Sequence, residues 1–345
     1  GGTERHVDVK GGADMTLRGL ELTDGYSSAS GGSISVTGAS TLTAIDCSIT
    51  SSTSKKTGGA IYANGGSTVS VQDCEISSNS ANRGGGVGVT GAGTVFTATR
   101  STFDSNAAAK SGVDARADQD GGNILVADSA TATVSNCTLE KGEAYYRGGG
   151  LAVLNASATV QDSVFEKNEG FEGGGLYVKD SDVTVKNTSF DRNDGPTGGW
   201  IVGSGIYASG SGAKVTISGS TFSGNCGAYA GAVHVKNTSL VRIDSSTFTK
   251  GCASGGHDVR VEGGTLTVSN STFGESDSAN NADYAIVLGT VTAADFDPSA
   301  KVVVTDSSFE TKVCMWKGYR CYEYFSWTGD GPVSFTCIED DCEDD

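Results

Sequence analysis

The sequence predicts an all-β chain folded as a right-handed parallel β-helix of about eleven coils, with three short strands per coil and a disulfide-rich C-terminal cap. Two recurrences and one compositional fact predict it. A phrase of the type Phe-x-x-Asn ("STFDSN", "VFEKN", "SFDRN", "TFSGN") returns at a near-constant step, and a Gly-Gly strand returns in register with it. The composition, 51 Gly against 3 Pro with abundant Ser and Thr, suits many tight turns between short strands and disfavours helical bundles.

Aligned on its apolar residue, the phrase falls at Leu22, Ile49, Ile76, Phe103, Leu139, Phe165, Phe190, Phe222, Phe248, Phe273 and Phe309. The first three steps are each 27 residues, and the later ones run from 25 to 36, so the period survives insertions. The Gly-Gly strand supplies a second register, with anchors Ile34, Ile61, Val87, Ile124, Leu151, Leu176, Ile206, Val233 and Val259. A third runs through "TLTAI", "TVSVQ", "TATVS", "DVTVK" and "KVTIS". All three alternate apolar with polar, the period-2 signature of strands with one buried face. One such coil cannot bury its apolar face alone, so coils stack at the strand spacing of about 4.8 Å.

Within that scheme Phe103 points inward and stacks on its neighbours. Asn79, Asn106, Asn168, Asn193 and Asn225 share one slot, where a turn position tolerating left-handed backbone and a hydrogen bond to the next coil are expected. The β-helix is assigned to residues 1–311. Residues 312–345, with Cys314, Cys321, Cys337 and Cys342, dense aromatics and an acidic tail, are expected to close the last apolar layer as a disulfide-stapled cap whose connectivity is open among three pairings.

The paired signatures, Gly-Gly-Ala-Ile at 58–61 with its variants and Phe-x-x-Asn, resemble the repeats of the polymorphic membrane protein family, the surface-exposed β-helical passengers of bacterial autotransporters. The resemblance covers most of residues 15–311 and implies a secreted or cell-surface protein with an adhesive or structural role.

The repeat also sorts the cysteines. Cys47 and Cys74 precede equivalent anchors, and Cys226 and Cys252 follow equivalent turn positions, so each pair is predicted to be bridged between adjacent coils. Cys137 shares the slot of Cys47 and Cys74 but has serines as neighbours, and is predicted to be a buried free thiol. Five Asn-x-Ser/Thr sequons, at Asn136, Asn155, Asn187, Asn237 and Asn270, fall in two turn registers and are expected to be exposed and glycosylated. Paired cysteines and sequons together point to an oxidising secretory route.

The net charge of −17 argues against nucleic acid, whose phosphates need clustered Lys and Arg. No apolar run is long enough for a transmembrane helix, so direct membrane insertion is not expected, and the chain reads as a processed or excerpted piece of a longer precursor. Three places remain for chemistry. Asp104, Glu140, Glu166 and Asp191 form an outward column on successive coils, but Lys141, Lys167 and Arg192 stand beside them, so an ion-pair ladder is expected in preference to a catalytic or Ca²⁺ cluster. Tyr177, Tyr207, His234 and Arg260 form a second outward column, a candidate platform for sugar rings or a partner protein. Asp114, Asp118 and Asp120, in the insertion after Asn106, are weak candidates for Ca²⁺. A surface of Thr-x-Thr rungs ordering water ranks third, because such rungs look scattered in the sequence.

The function expected from the sequence is therefore a non-enzymatic, extracellular structural or adhesive subunit of a cell-surface or filament assembly, without a cofactor and with other surface proteins or glycans as partners. The alternative is a carbohydrate-binding or carbohydrate-cleaving enzyme of the pectin-lyase-like class, a polysaccharide lyase or glycosidase.

Overall fold

A computed structural model describes residues 4–108, 119–195, 205–227, 230–237, 239–253, 257–274, 284–288, 301–309, 312–317, 320–325 and 333–336. Every described element is a strand, so no described helix is long and apolar enough to cross a membrane. Three sheets of 13, 12 and 11 strands run the length of the β-helix. The first is built from the Gly-Gly strands, such as Ile34–Val36 and Ile61–Ala63. The second contains Thr41–Ile45 and Thr68–Gln72, and the third Ser48–Thr50 and Glu75–Ser77.

Pairing between consecutive coils is parallel and in step: Ile34 faces Ile61, Leu42 faces Val69 and Ile49 faces Ile76. All eleven anchors from Leu22 to Phe309 lie in one unbroken column of the third sheet. Alternation does the sorting. In Thr41–Ile45, Leu42 and Ala44 are buried, whereas Thr41, Thr43 and Ile45 face outward. From Phe165 through Phe190, Phe222, Phe248 and Phe273 to Phe309 the rings stack with centroids 4.5–5.0 Å apart and planes within 19°. Each buried ring contributes about 1.5–3 kcal/mol of hydrophobic burial, and each ring pair roughly 0.5–1.5 kcal/mol more.

The Gly-Gly signature has a steric cause. Gly58 has φ of +70°, which an L side chain rarely adopts, and a Cβ there would collide with the Ile61 carbonyl. A Cβ on Gly59 would collide with the Gly85 carbonyl of the next coil. The chain therefore needs the first glycine for its turn and the second for the approach of its neighbour.

The asparagines differ from the sequence expectation in one respect. The left-handed residue is the one before each asparagine, namely Ser78, Ser105, Lys167, Arg192 and Gly224, with φ between 49° and 59°. The asparagine itself turns inward and is buried. Asn79 Nδ2 donates to the Ile49 carbonyl at 2.9 Å and to Asn106 Oδ1 at 2.9 Å, and the same two bonds recur from Asn168 to Leu139 and Asn193 and from Asn193 to Phe165 and Asn225. These side chains pair backbone groups that the turn would otherwise leave unmet inside the rod.

A short fourth sheet of six strands, from Tyr26–Ser27 to Glu169–Glu172, follows the asparagine column. Sequence reading places only three strands in a coil. The first four strands of this sheet have two residues each, too few to show alternation.

At the C-terminal end the pattern changes hand of pairing. Lys312–Lys317 adds a parallel strand to the first sheet, Arg320–Phe325 returns antiparallel to it, and Val333–Thr336 lies antiparallel to Lys301–Thr305 in the second sheet. Antiparallel strands thus follow the last parallel strands of both sheets. In the hairpin backbone Cys314 faces Tyr324 and Cys321 faces Trp316, while Cys337 and Cys342 lie outside the described residues.

Candidate functional site

The second outward column forms as the register requires: Tyr177 pairs with Tyr207, Tyr207 with His234 and His234 with Arg260 on consecutive strands of the first sheet. The tyrosine rings stack at 5.5 Å, and His234 meets Tyr207 edge to face at 4.9 Å. The expectation of an exposed platform is overturned, because none of the four is more than 2% accessible. Outward positions of this sheet carry a second apolar cluster, in which Leu125, Ala127, Ala152 and Leu154 join Tyr177 and Tyr207. Strands Ile124–Ala127 and Leu151–Leu154 are apolar at all four positions, the mark of a strand covered on both faces.

Charge in this column is compensated locally. Glu262 receives Arg260 at 2.8 Å, His234 at 3.3 Å and Lys236 at 3.5 Å. Burial by itself raises the Glu262 carboxyl, but His234, Arg260 and Lys236 outweigh it and hold the group at about 2. Burial, aided by the Glu172 carboxylate, pushes the Tyr177 and Tyr207 hydroxyls far up, and Tyr177 shares a 3.2 Å hydrogen bond with Ser209. These hydroxyls stay protonated through the physiological range.

A ladder that sequence reading missed runs beside the tyrosines. The residue just before each Gly-Gly pair is Arg83, Asp120, Arg147 and Glu172 on four coils, so the signs alternate. Asp120 pairs with Arg83 at 3.4 Å and Arg147 at 3.7 Å, and Arg147 pairs with Glu172 at 3.1 Å. The Arg147 guanidinium also lies 5.2 Å above the Tyr177 ring. Asp120, offered above as a weak Ca²⁺ candidate, is thus a buried partner of two arginines, which oppose a bound cation. Asp114 and Asp118 lie outside the described residues. Among the described residues no cluster of His, Cys, Asp and Glu is arranged to hold a metal ion.

The exposed carboxylate column forms the expected ion-pair ladder. Lys141 joins Asp104 at 3.2 Å to Glu140 at 3.1 Å, and Arg192 joins Glu166 at 2.8 Å to Asp191 at 2.6 Å, with Lys167 on Glu166 at 2.7 Å.

Cys226 and Cys252 are disulfide-bonded across paired strands, with Cα atoms 4.6 Å apart. The pairing expected for Cys47 and Cys74 does not form, and both are buried thiols, as is Cys137. Their column explains the difference. Cys74 Sγ accepts from the Cys47 amide at 3.4 Å, Ser101 Oγ from the Cys74 amide at 3.1 Å, and Cys137 Sγ from the Ser101 amide at 3.4 Å. Each thiol or hydroxyl also donates to the carbonyl two residues back. The cysteines stand in for serine in a ladder of internal hydrogen bonds.

All five sequon asparagines are exposed and left-handed, with φ between 47° and 58°. Asn136 and Asn155 sit at the turns on either side of the second sheet, between Ser135 and Thr138 and between Leu154 and Ser157. A shallow depression of about 470 Å³ lies on the second of these edges, lined by Ser129, Asn155, Asp180 and Lys214 among others.

The repeat geometry agrees with a model of protein families, the right-handed β-helix region, which matches residues 3–123 and 32–230. The chain belongs to the right-handed β-helix family. That membership covers the fold of the stack described above. No curated protein matches the chain. Among solved structures it is similar to PfbA, a surface adhesin of Streptococcus pneumoniae, at 10% identity and a TM-score of 0.41, over 84% of this chain and 81% of that one.

Proposed function

We infer that this β-helix is a non-enzymatic structural or adhesive rod of an extracellular or cell-surface assembly, of the kind built from polymorphic membrane protein repeats. The observation that carries this reading is the use made of charge along the rod. Lys141 ties Asp104 to Glu140 and Arg192 ties Glu166 to Asp191 between coils, and Arg83, Asp120, Arg147 and Glu172 alternate in sign. Such ladders lock coil to coil. Carboxylates already held by cations of neighbouring coils support a structural reading of these columns over an acid and base for glycan cleavage or a Ca²⁺ set. An oxidising compartment is supported by the Cys226–Cys252 bridge on the outer turn and by five sequons at exposed turns.

Antibody labelling of intact cells tests the reading. Surface label without permeabilisation is the expected outcome, together with co-purification of other surface or filament proteins. Label confined to permeabilised cells, or cleavage of an acidic polysaccharide that Glu166→Ala or Asp191→Ala abolishes, overturns it in favour of the pectin-lyase-like alternative.

A further inference from the structure

Burial of Tyr177 and Tyr207 moves the accessible aromatic surface to the fourth sheet. Between Glu143–Arg147 and Glu169–Glu172 the pairing is regular at Ala144 with Gly170 and at Arg147 with Glu172, so Tyr145 and Tyr146 together oppose the single residue Phe171. Such a bulge re-aims side chains. Tyr146 stacks on Phe171 at 5.9 Å with planes 25° apart, and the Arg147 guanidinium lies 4.2 Å above Tyr146. Tyr145 is turned out and is 54% exposed. A tyrosine this open gains little from burial, and its neighbours form a stacked shelf beside it.

The same strands carry carboxylates. Glu143 pairs in register with Glu169, and Glu169 with Asp194, on three successive coils. In contrast to the two ladders described above, no lysine or arginine among the described residues forms an ion pair with any of the three. Burial, together with the Glu143 and Asp194 charges, pushes the Glu169 carboxyl up. Arg147, the nearest cation on these strands, is committed to Glu172 and Asp120. The surface therefore joins a stacked aromatic shelf to a column of negative charge repeating at the coil spacing.

We propose that Tyr145, Tyr146 and Phe171, with Glu143, Glu169 and Asp194, form a binding site for an amino-sugar polymer. A hexosamine ring offers an apolar C–H face to an aromatic ring and an ammonium group to a carboxylate within one unit, and its polymer repeats both. An acidic polysaccharide is repelled by the same column. A basic peptide meets the charge but has no ring face to lay on the shelf. The proposal rests on the adhesive reading above and gives it a ligand class.

The test uses the purified chain and a glucosamine hexamer, with the N-acetylated hexamer and hexalysine as comparisons, in calorimetry at low salt. The expected result is binding of the glucosamine hexamer that weakens about tenfold in Tyr145→Ala and in the Glu143→Gln/Glu169→Gln double variant, and survives in Tyr145→Phe. Circular dichroism checks that each variant keeps its strands. Absence of hexamer binding, indifference to Tyr145→Ala, or equal and equally Tyr145-dependent binding of hexalysine overturns the proposal. Cell-surface labelling is read separately, so a rod that labels the surface but ignores the hexamer refutes the ligand and leaves the adhesive role standing.

Discussion

Asn123 occupies the place of the side chain that Gly142 lacks. The coil carrying Leu139 has glycine at the ladder slot held elsewhere by Asn79, Asn106, Asn168 and Asn193. Asn123 enters from the Gly-Gly strand, accepting from Asn106 Nδ2 at 2.8 Å and donating to Asn168 Oδ1 at 3.1 Å and the Glu140 carbonyl at 3.2 Å. A Cβ on Gly142 would lie 2.5 Å from Asn123 Nδ2. Asn123→Ala therefore strands buried polar groups on both neighbouring coils, and is expected to lower stability in urea by about 2–4 kcal/mol. Gly142→Ala, which adds one methyl group, is expected to destabilise as well, because it pushes into both Asn123 and the Gly149 carbonyl. Wild-type stability in either variant would refute the ladder.

The phenylalanine stack predicts a position-dependent cost. Phe222 is buried between Phe190 at 5.0 Å and Phe248 at 4.7 Å, whereas Phe309 is only partly buried and, among the described rings, stacks on Phe273 at 4.8 Å. Phe222→Ala is expected to cost about 3–5 kcal/mol and Phe309→Ala clearly less. Chemical denaturation followed by far-UV circular dichroism measures both, and an equal loss at the two sites contradicts the stacked core.

The coil register was legible because three independent residue columns repeat together. Eleven apolar anchors with Gly-Gly strands in step leave one way to stack. Burial of the outward column was harder to read, since Tyr177 and Tyr207 look like any aromatic on an exposed strand. The all-apolar strands at 124–127 and 151–154 held the signal, on the two coils that precede Tyr177. The alternating Arg83, Asp120, Arg147 and Glu172 were equally visible, each beside a Gly-Gly pair, but a single residue at a turn has no periodicity of its own. Cys47 and Cys74 illustrate a different limit. Adjacent coils bring equivalent residues within disulfide distance everywhere in the stack, so proximity cannot separate a bridge from a hydrogen-bond ladder, whereas the serines sharing the column can.

The thiol ladder makes a chemical prediction. Burial raises the Cys74 and Cys137 thiols above their ordinary range, and Cys47, Cys74 and Cys137 are all enclosed. Iodoacetamide should leave the three unmodified in the native protein and label all three after unfolding without reductant. Cys226 and Cys252 should be labelled only once reductant is added. Peptide mapping that finds Cys47 joined to Cys74 would contradict the ladder.

Acid should weaken the first sheet at a defined place. The Glu262 carboxyl is held at about 2 in the folded chain, below its ordinary value of 4.5, because His234, Arg260 and Lys236 converge on it despite its burial. A depressed carboxyl stabilises the fold in its ionised form, so its contribution is complete above about pH 4.5 and is lost as pH falls toward 2. The shift corresponds to stabilisation on the order of 3 kcal/mol. Glu262→Gln removes it at every pH and also takes away the carboxylate that Arg260 meets at 2.8 Å. At pH 7 the variant should unfold at clearly lower urea than the wild type, and the gap should shrink as both are titrated from pH 4.5 to 2. A gap that stays constant across that range would mean that Glu262 acts through packing and not through its charge.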